Sequence, residues 1–167
     1  MVSFQGSLAA TGAELKLVER ENLHFTVKFL GEISDAQVAE VDRRLRGLRL
    51  GGAAISVAGV GAFPTVYSPN VVWVGVSKSD DSKVRTIAEA VIGALGGIGE
   101  RDERPFQAHI TLARVRQGGR RGSLSALIRE NSRKVFGEVK LTAFSLKSSI
   151  LTPRGPVYSD VGVYALT

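Results

Sequence analysis

Cysteine is absent from this chain, which excludes disulfides, thiolate metal sites and a cysteine nucleophile together. Histidine is almost as scarce, with His24 and His109 the only two in 167 residues. No apolar run approaches the roughly 20 residues that a membrane-spanning helix needs. The amino end also lacks the basic stretch and apolar core of a secretory signal, so a cytoplasmic protein is the expectation. Acidic residues are in the minority, 16 against 22 Lys and Arg, for a net charge of +6. Such an excess favours a polyanionic partner, nucleic acid being the commonest, although it also serves plain solubility. With 44% hydrophobic residues the chain can build a core unaided, as one domain or two small packed lobes.

Residues 14–18 and 23–30 alternate or run apolar and read as strands, the second ending at Gly31. Ser34 followed by Gln37 is a capping box that opens a helix, in which Val38, Val41, Leu45 and Leu48 share one face. Gly51 and Gly52 stop it. A strand is expected over 54–60, then a breaker-rich segment over 61–70 with Pro64 and Pro69. Residues 71–76, with the single tryptophan Trp73, form an almost continuous apolar strand. Asp80 or Asp81 caps a helix with a wide stripe from Val84 to Leu95, ended by glycines. A charged loop over 100–104 leads to a strand over 106–115, broken at Gly118 and Gly119. A short helix is expected around Leu124, Leu127 and Ile128. Two long strands, 139–151 and 157–166, flank the Pro-Gly loop that carries Arg154. Mixed strands and helices of this kind make an α+β protein.

Two segments resemble each other: Leu23-His24-Phe25-Thr26-Val27 and Ala108-His109-Ile110-Thr111-Leu112. Strand residues alternate between faces, so each HxT motif sets an imidazole and a hydroxyl about 7 Å apart on one face. The opposite face anchors in the core. Neutral imidazole takes a proton and imidazolium gives one near pH 7, which suits in-line opening of a phosphodiester. Threonine hydroxyls can donate to the non-bridging oxygens as charge builds there. One His-x-Thr is a weak three-residue pattern. Two copies in matched surroundings, using every histidine in the chain, are far more specific. A structural zinc site is the poorer reading, because two histidines without a cysteine or paired carboxylate supply too few ligands. The repeated order of elements reads as a duplicated lobe whose pseudo-twofold axis brings the two pairs face to face across a groove.

The stretch from Glu21-Asn22-Leu23-His24-Phe25-Thr26-Val27-Lys28 to Gly31 resembles the first motif of the 2H phosphoesterase superfamily. Within it the likeness is to the RNA 2′,3′-cyclic phosphodiesterases, historically called 2′-5′ RNA ligases. Gly59-Val60-Gly61-Ala62-Phe63-Pro64, Phe106-Gln107-Ala108-His109-Ile110-Thr111-Leu112-Ala113-Arg114 and Ser149-Ile150-Leu151-Thr152-Pro153 resemble its other segments. The resemblance runs from about residue 12 to the end. It implies a bilobal, duplicated fold, with two antiparallel sheets around a central cleft and helices outside. It also implies hydrolysis of cyclic phosphate ends of RNA to a 2′-phosphate without cofactor or metal. In some members 2′-5′ joining of tRNA halves accompanies this, a tRNA-processing activity. His24 and His109 are then the acid–base pair, in either order, and Thr26 and Thr111 hold the phosphate. Lys28 shares the face of His24, and Gln107 that of His109. Arg114 is included on resemblance, although its parity is opposite and only a twist or bulge would bring it to the cleft. Phe63 and Tyr67 are weaker candidates for stacking on a base, and Arg154 for touching RNA.

Relatives usually begin with an apolar strand and a long helix before the first motif. Here 38 positions separate Val71 from His109 but only 23 separate Met1 from His24. The first lobe is therefore expected to be short by one strand, with residues 2–10 the remainder of a helix. An exposed sheet edge of that kind invites oligomerisation. Two rival readings remain at this stage: a non-catalytic RNA-binding module with a basic cleft, and an enzyme for another cyclic phosphodiester. Threonines intact beside both histidines favour the enzyme acting on RNA ends.

Overall fold

The computed structural model describes residues 1–100, 105–119, 121–152 and 155–167. Residues 101–104 of the charged loop, and Arg154, lie outside these. Among the described residues the fold is α+β. The elements run α1 (Val2–Ala9), β1 (Ala13–Leu17), a 3₁₀ turn (Arg20–Asn22), α2 (Asp35–Arg46), β2 (Ala53–Pro64), β3 (Pro69–Val76) and α3 (Asp81–Leu95). Then come β4 (Ile110–Gly119), α4 (Arg121–Glu130), β5 (Val135–Leu141), β6 (Ala143–Thr152) and β7 (Gly155–Ala165). One sheet has the order β1-β4-β3-β2-β5, and β6 and β7 pair as a separate antiparallel ribbon. No described helix is long and apolar enough to cross a membrane.

Two compact units are interleaved along the chain. One takes residues 1–26, 55–82 and 107–139, and the other takes 27–54, 83–106 and 140–167. Each therefore draws on both halves of the sequence. In the first unit the alternation of the strands turns Val57, Val60, Ala62, Val72, Val74, Ile110 and Leu112 inward. There they meet Phe4 and Leu8 of α1 and Leu124 and Ile128 of α4. Gln5, almost fully buried, donates through its amide to the carbonyls of Val18 and Leu112, which ties α1 to the residue after β1 and to β4.

In the second unit the expected capping box forms: Gln37 N donates to the Ser34 hydroxyl, and Ser34 N donates back to the Gln37 side chain. The α2 stripe of Val41 and Leu45 packs with Val91 and Leu95 of α3 and with Tyr164. On its outer side Glu40 is held down to about 2 by hydrogen bonds from Arg43 and Arg44. Burial, then the hydrogen bond to Asp42, pushes the Tyr164 phenol up.

Four expectations differ from the structure. Residues 23–30 form no regular strand; the segment makes an isolated antiparallel bridge at Phe25 with Ile110. Further along, Leu30 O accepts from Glu100 N at 3.1 Å, so its backbone is satisfied outside a ladder. The strand expected over 106–115 begins at Ile110 and continues to Gly119, which pairs with Ala13. The run 139–151 is divided at Thr142, whose carbonyl accepts from Leu166 N, so its start belongs to β5 and the remainder to β6. Last, β2 passes straight through the supposed breaker Gly61.

The reason for Gly61 lies on the neighbouring strand. It pairs with Trp73, and a Cβ built there would come within 2.2 Å of the indole. Gly75, on the other side, would set a Cβ 3.3 Å from the same ring. The indole lies over bare backbone. Gly61→Ala is therefore expected to cost about 1–3 kcal/mol through overpacking and to shift the emission of the single tryptophan. Thermal melting and fluorescence check this; an unchanged melt and spectrum would show that the ring is not seated there.

Candidate active site

The bridge between Phe25 and Ile110 sets the geometry of both HxT motifs. In antiparallel pairing the neighbours meet in opposite order, so His24 stands across from Thr111 and Thr26 across from His109. Ile110 is 5% exposed and Phe25 packs on the same core, so both point inward. The alternation then puts His24, Thr26, His109 and Thr111 together on the outward face. Residues directly opposite sit about 5 Å apart at Cβ, and the two histidines lie on a diagonal of about 7–8 Å. That span is wide enough for a small tetrahedral group between the two rings.

Each imidazole is oriented by main chain two residues earlier. His24 Nδ1 lies 2.6 Å from Asn22 O and His109 Nδ1 lies 2.8 Å from Gln107 O. A carbonyl only accepts, so Nδ1 carries the proton and Nε2 of the neutral ring keeps its lone pair. Thr26 Oγ1, 3.1 Å from His24 Nε2, then donates to it. The two rings are thus set in the same tautomer by the same device. Around His109 the setting is aromatic. Phe63 meets it edge-on at 5.1 Å and 89°, and Trp73 lies 6.3 Å away. The indole N–H is buried and finds no partner among the described residues. His24 is more exposed.

Arg114 comes onto this face through a β-bulge. On β4 the pairing with β3 runs Trp73 with Thr111, then Val72 with Ala113 and Val71 with Arg114, leaving Leu112 as the extra residue. Leu112 and Ala113 are both fully buried, as a bulge allows, and Arg114 follows on the side of Thr111. The parity objection raised by the sequence is removed by a bulge, one of the two distortions that could remove it.

Five of the sequence candidates, His24, Thr26, His109, Thr111 and Arg114, therefore lie on one face of the first unit. Gln107 is adjacent and contributes through its backbone carbonyl. Lys28 belongs to the second unit, where its ammonium donates to Glu100 O at 2.7 Å. Tyr67 is 74% exposed with the Arg129 guanidinium 5.8 Å over its ring, while Phe63 is turned to Trp73 and His109. The carbonyls of Asn22 and Gln107, and Trp73, escape a reading of motifs. The shared spacing of two residues before each histidine was a signal for the first two. Among the described residues there is no group of three His, Asp or Glu that could hold a metal ion.

Comparison with known proteins shows the family of the chain. The family model described as LigT like Phosphoesterase matches twice in tandem, over residues 2–73 and 74–158, so each match carries one HxT motif. The chain is 39% identical over 150 residues to an RNA 2′,3′-cyclic phosphodiesterase of Archaeoglobus fulgidus, covering 90% of this chain and 83% of that protein. It is 37% identical over 163 residues to a protein of the same name from Aeropyrum pernix, covering 96% and 92%. Among solved structures, E. coli LigT complexed with 3′-AMP superposes with a TM-score of 0.76 at 21% identity, over 99% of this chain and 88% of that one, a likeness of fold. A crystal structure of a Thermus thermophilus protein gives 0.73 at 26% identity, over 99% and 93%. Sequence, fold and the paired motifs agree, and the chain belongs to the LigT-like phosphoesterase family.

Proposed function

We propose that this protein is a hydrolase for the 2′,3′-cyclic phosphate ends of RNA, working with its two histidines and no metal. The observation that carries the reading is the register around Phe25 and Ile110, which sets two imidazoles diagonally about one phosphate-sized space with a threonine opposite each. Related proteins bearing the name RNA 2′,3′-cyclic phosphodiesterase support the substrate class. The surplus of cations supports a polyanion.

The chemistry follows from the tautomers. The Nε2 lone pair of one neutral imidazole takes a proton from water as its oxygen bonds to phosphorus. The other histidine, protonated, gives its Nε2 proton to the ribose 3′ oxygen as the P–O3′ bond breaks. The products are a 2′-phosphate and a 3′ hydroxyl, with the proton returned through solvent. Either histidine can start in either role, because both rings are held in the same tautomer. Thr26, Thr111 and the Arg114 guanidinium donate to the non-bridging oxygens as charge gathers there. Run in the same direction with the 5′ hydroxyl of a second RNA end in place of water, the same steps join RNA ends through a 2′-5′ linkage as the P–O3′ bond breaks; tRNA halves in the cytoplasm are the substrates the family resemblance suggests.

Incubation with a nucleoside 2′,3′-cyclic phosphate in EDTA, with the product isomer identified, tests the reading. Full activity and a 2′-phosphate are expected; loss of activity on chelation, or a 3′-phosphate, would overturn it. His24→Ala and His109→Ala should each lower kcat by about 10²–10⁴-fold, the range of general acid–base catalysis. The double variant should be little worse, since the pair acts as a unit. The wild-type rate should be bell-shaped in pH, with limbs belonging to the pair. Removing one limb in each single variant is the expected signature, and a surviving full bell would contradict it. Arg114→Ala should raise KM more than it lowers kcat, by about tenfold, the worth of one charge-assisted phosphate contact.

A further inference from the structure

The bulge that turns Arg114 outward also decides what stands beside it. β1 pairs with the other edge of β4, and there Leu15 faces Val115, Lys16 faces Arg114 and Leu17 faces Ala113. Leu15 and Val115 pack on the first core and Ala113 is fully buried, so Lys16 shares the outward face with Arg114. On the other side of Arg114 lies Val71, and beyond it Phe63. One row thus crosses four strands as Phe63, Val71, Arg114 and Lys16. The next row holds Gly61, Trp73, Thr111 and, through the bridge, His24. Rows on one face are about 7 Å apart, and neighbours across strands about 5 Å.

We propose, on the phosphodiesterase reading of this face, that Lys16 binds the backbone phosphate on the 5′ side of the terminal nucleotide, so that the site prefers a polynucleotide end to a cyclic mononucleotide. An RNA end presents two anions, the cyclic phosphate and the phosphodiester one ribose away. A cyclic mononucleotide presents one. The HxT residues and Arg114 account for the first anion. Lys16 stands one strand beyond Arg114 in the row next to Thr111, the offset at which a second anion on the same chain has to be met. The residue types fit the division. A guanidinium fork suits a phosphate held in one geometry, whereas a point charge on a flexible stem follows one whose position changes with the base. Lysine on an edge strand also discourages strand-to-strand association. That role touches neither substrate.

The test is Lys16→Gln, assayed on a nucleoside 2′,3′-cyclic phosphate and on a dinucleotide ending in one. The dinucleotide should lose about tenfold in kcat/KM, mostly through KM, with the mononucleotide unchanged. The variant's log–log salt dependence on the dinucleotide should also be shallower by about 0.7, the contribution of one phosphate on a single strand. Equal effects on both substrates, or an unchanged dinucleotide rate with only more aggregation, would overturn the assignment. Wild-type protein inactive on both substrates would overturn the phosphodiesterase reading, and the role of Lys16 with it.

Discussion

A single cross-strand contact, Phe25 against Ile110, organises the candidate site. Both rows of polar side chains exist because these two apolar ones point the other way. Their burial is therefore a constraint on chemistry as much as on stability. A slip of one residue in either segment would turn both a histidine and a threonine into the core, where neither could be satisfied. The contact is also economical of structure. His24 and Thr26 belong to no regular strand, and the bridge and the Asn22 carbonyl help to fix the first motif, whereas the second leads directly into β4, an interior strand of the sheet.

Around that contact the packing is aromatic. The Trp73 indole occupies a space that two glycines leave open, with its N–H buried and unbonded among the described residues. What it provides, with Phe63, is an aromatic wall against His109. The two histidines thus share a tautomer but not a setting, one walled by aromatics and the other exposed beside its threonine.

Much of this was legible in the sequence for identifiable reasons. The HxT repeat showed because alternation translates spacing directly into a shared face, and α2 showed because Ser34 and Gln37 make a local cap that no tertiary contact can disguise. What failed to show depends on partners distant in sequence. Gly61 looked like a breaker, since its purpose belongs to Trp73 on another strand. The strand break at Thr142 follows a change of partner, from β2 to β7, that leaves the local apolar pattern unbroken. The bulge was half legible: Leu112 and Ala113, adjacent and both apolar, interrupt the alternation, yet only the register with Val72 and Val71 shows that Arg114 is turned outward by it. The family resemblance singled out Arg114, and the register with Val71 gives its place on the sheet face.

The central claim is that His24 and His109 act on one phosphate with both Nε2 atoms turned toward it. Nitrogen-15 NMR of the two imidazoles during titration with a nucleoside 2′-monophosphate tests it most directly. In the unliganded neutral protein both rings should show the Nδ1-protonated tautomer, as the carbonyls of Asn22 and Gln107 require. On titration both Nε2 signals should shift together, with one dissociation constant and one ligand per chain. A response confined to one histidine, two unequal binding curves, or a proton on Nε2 of either neutral ring would contradict the account.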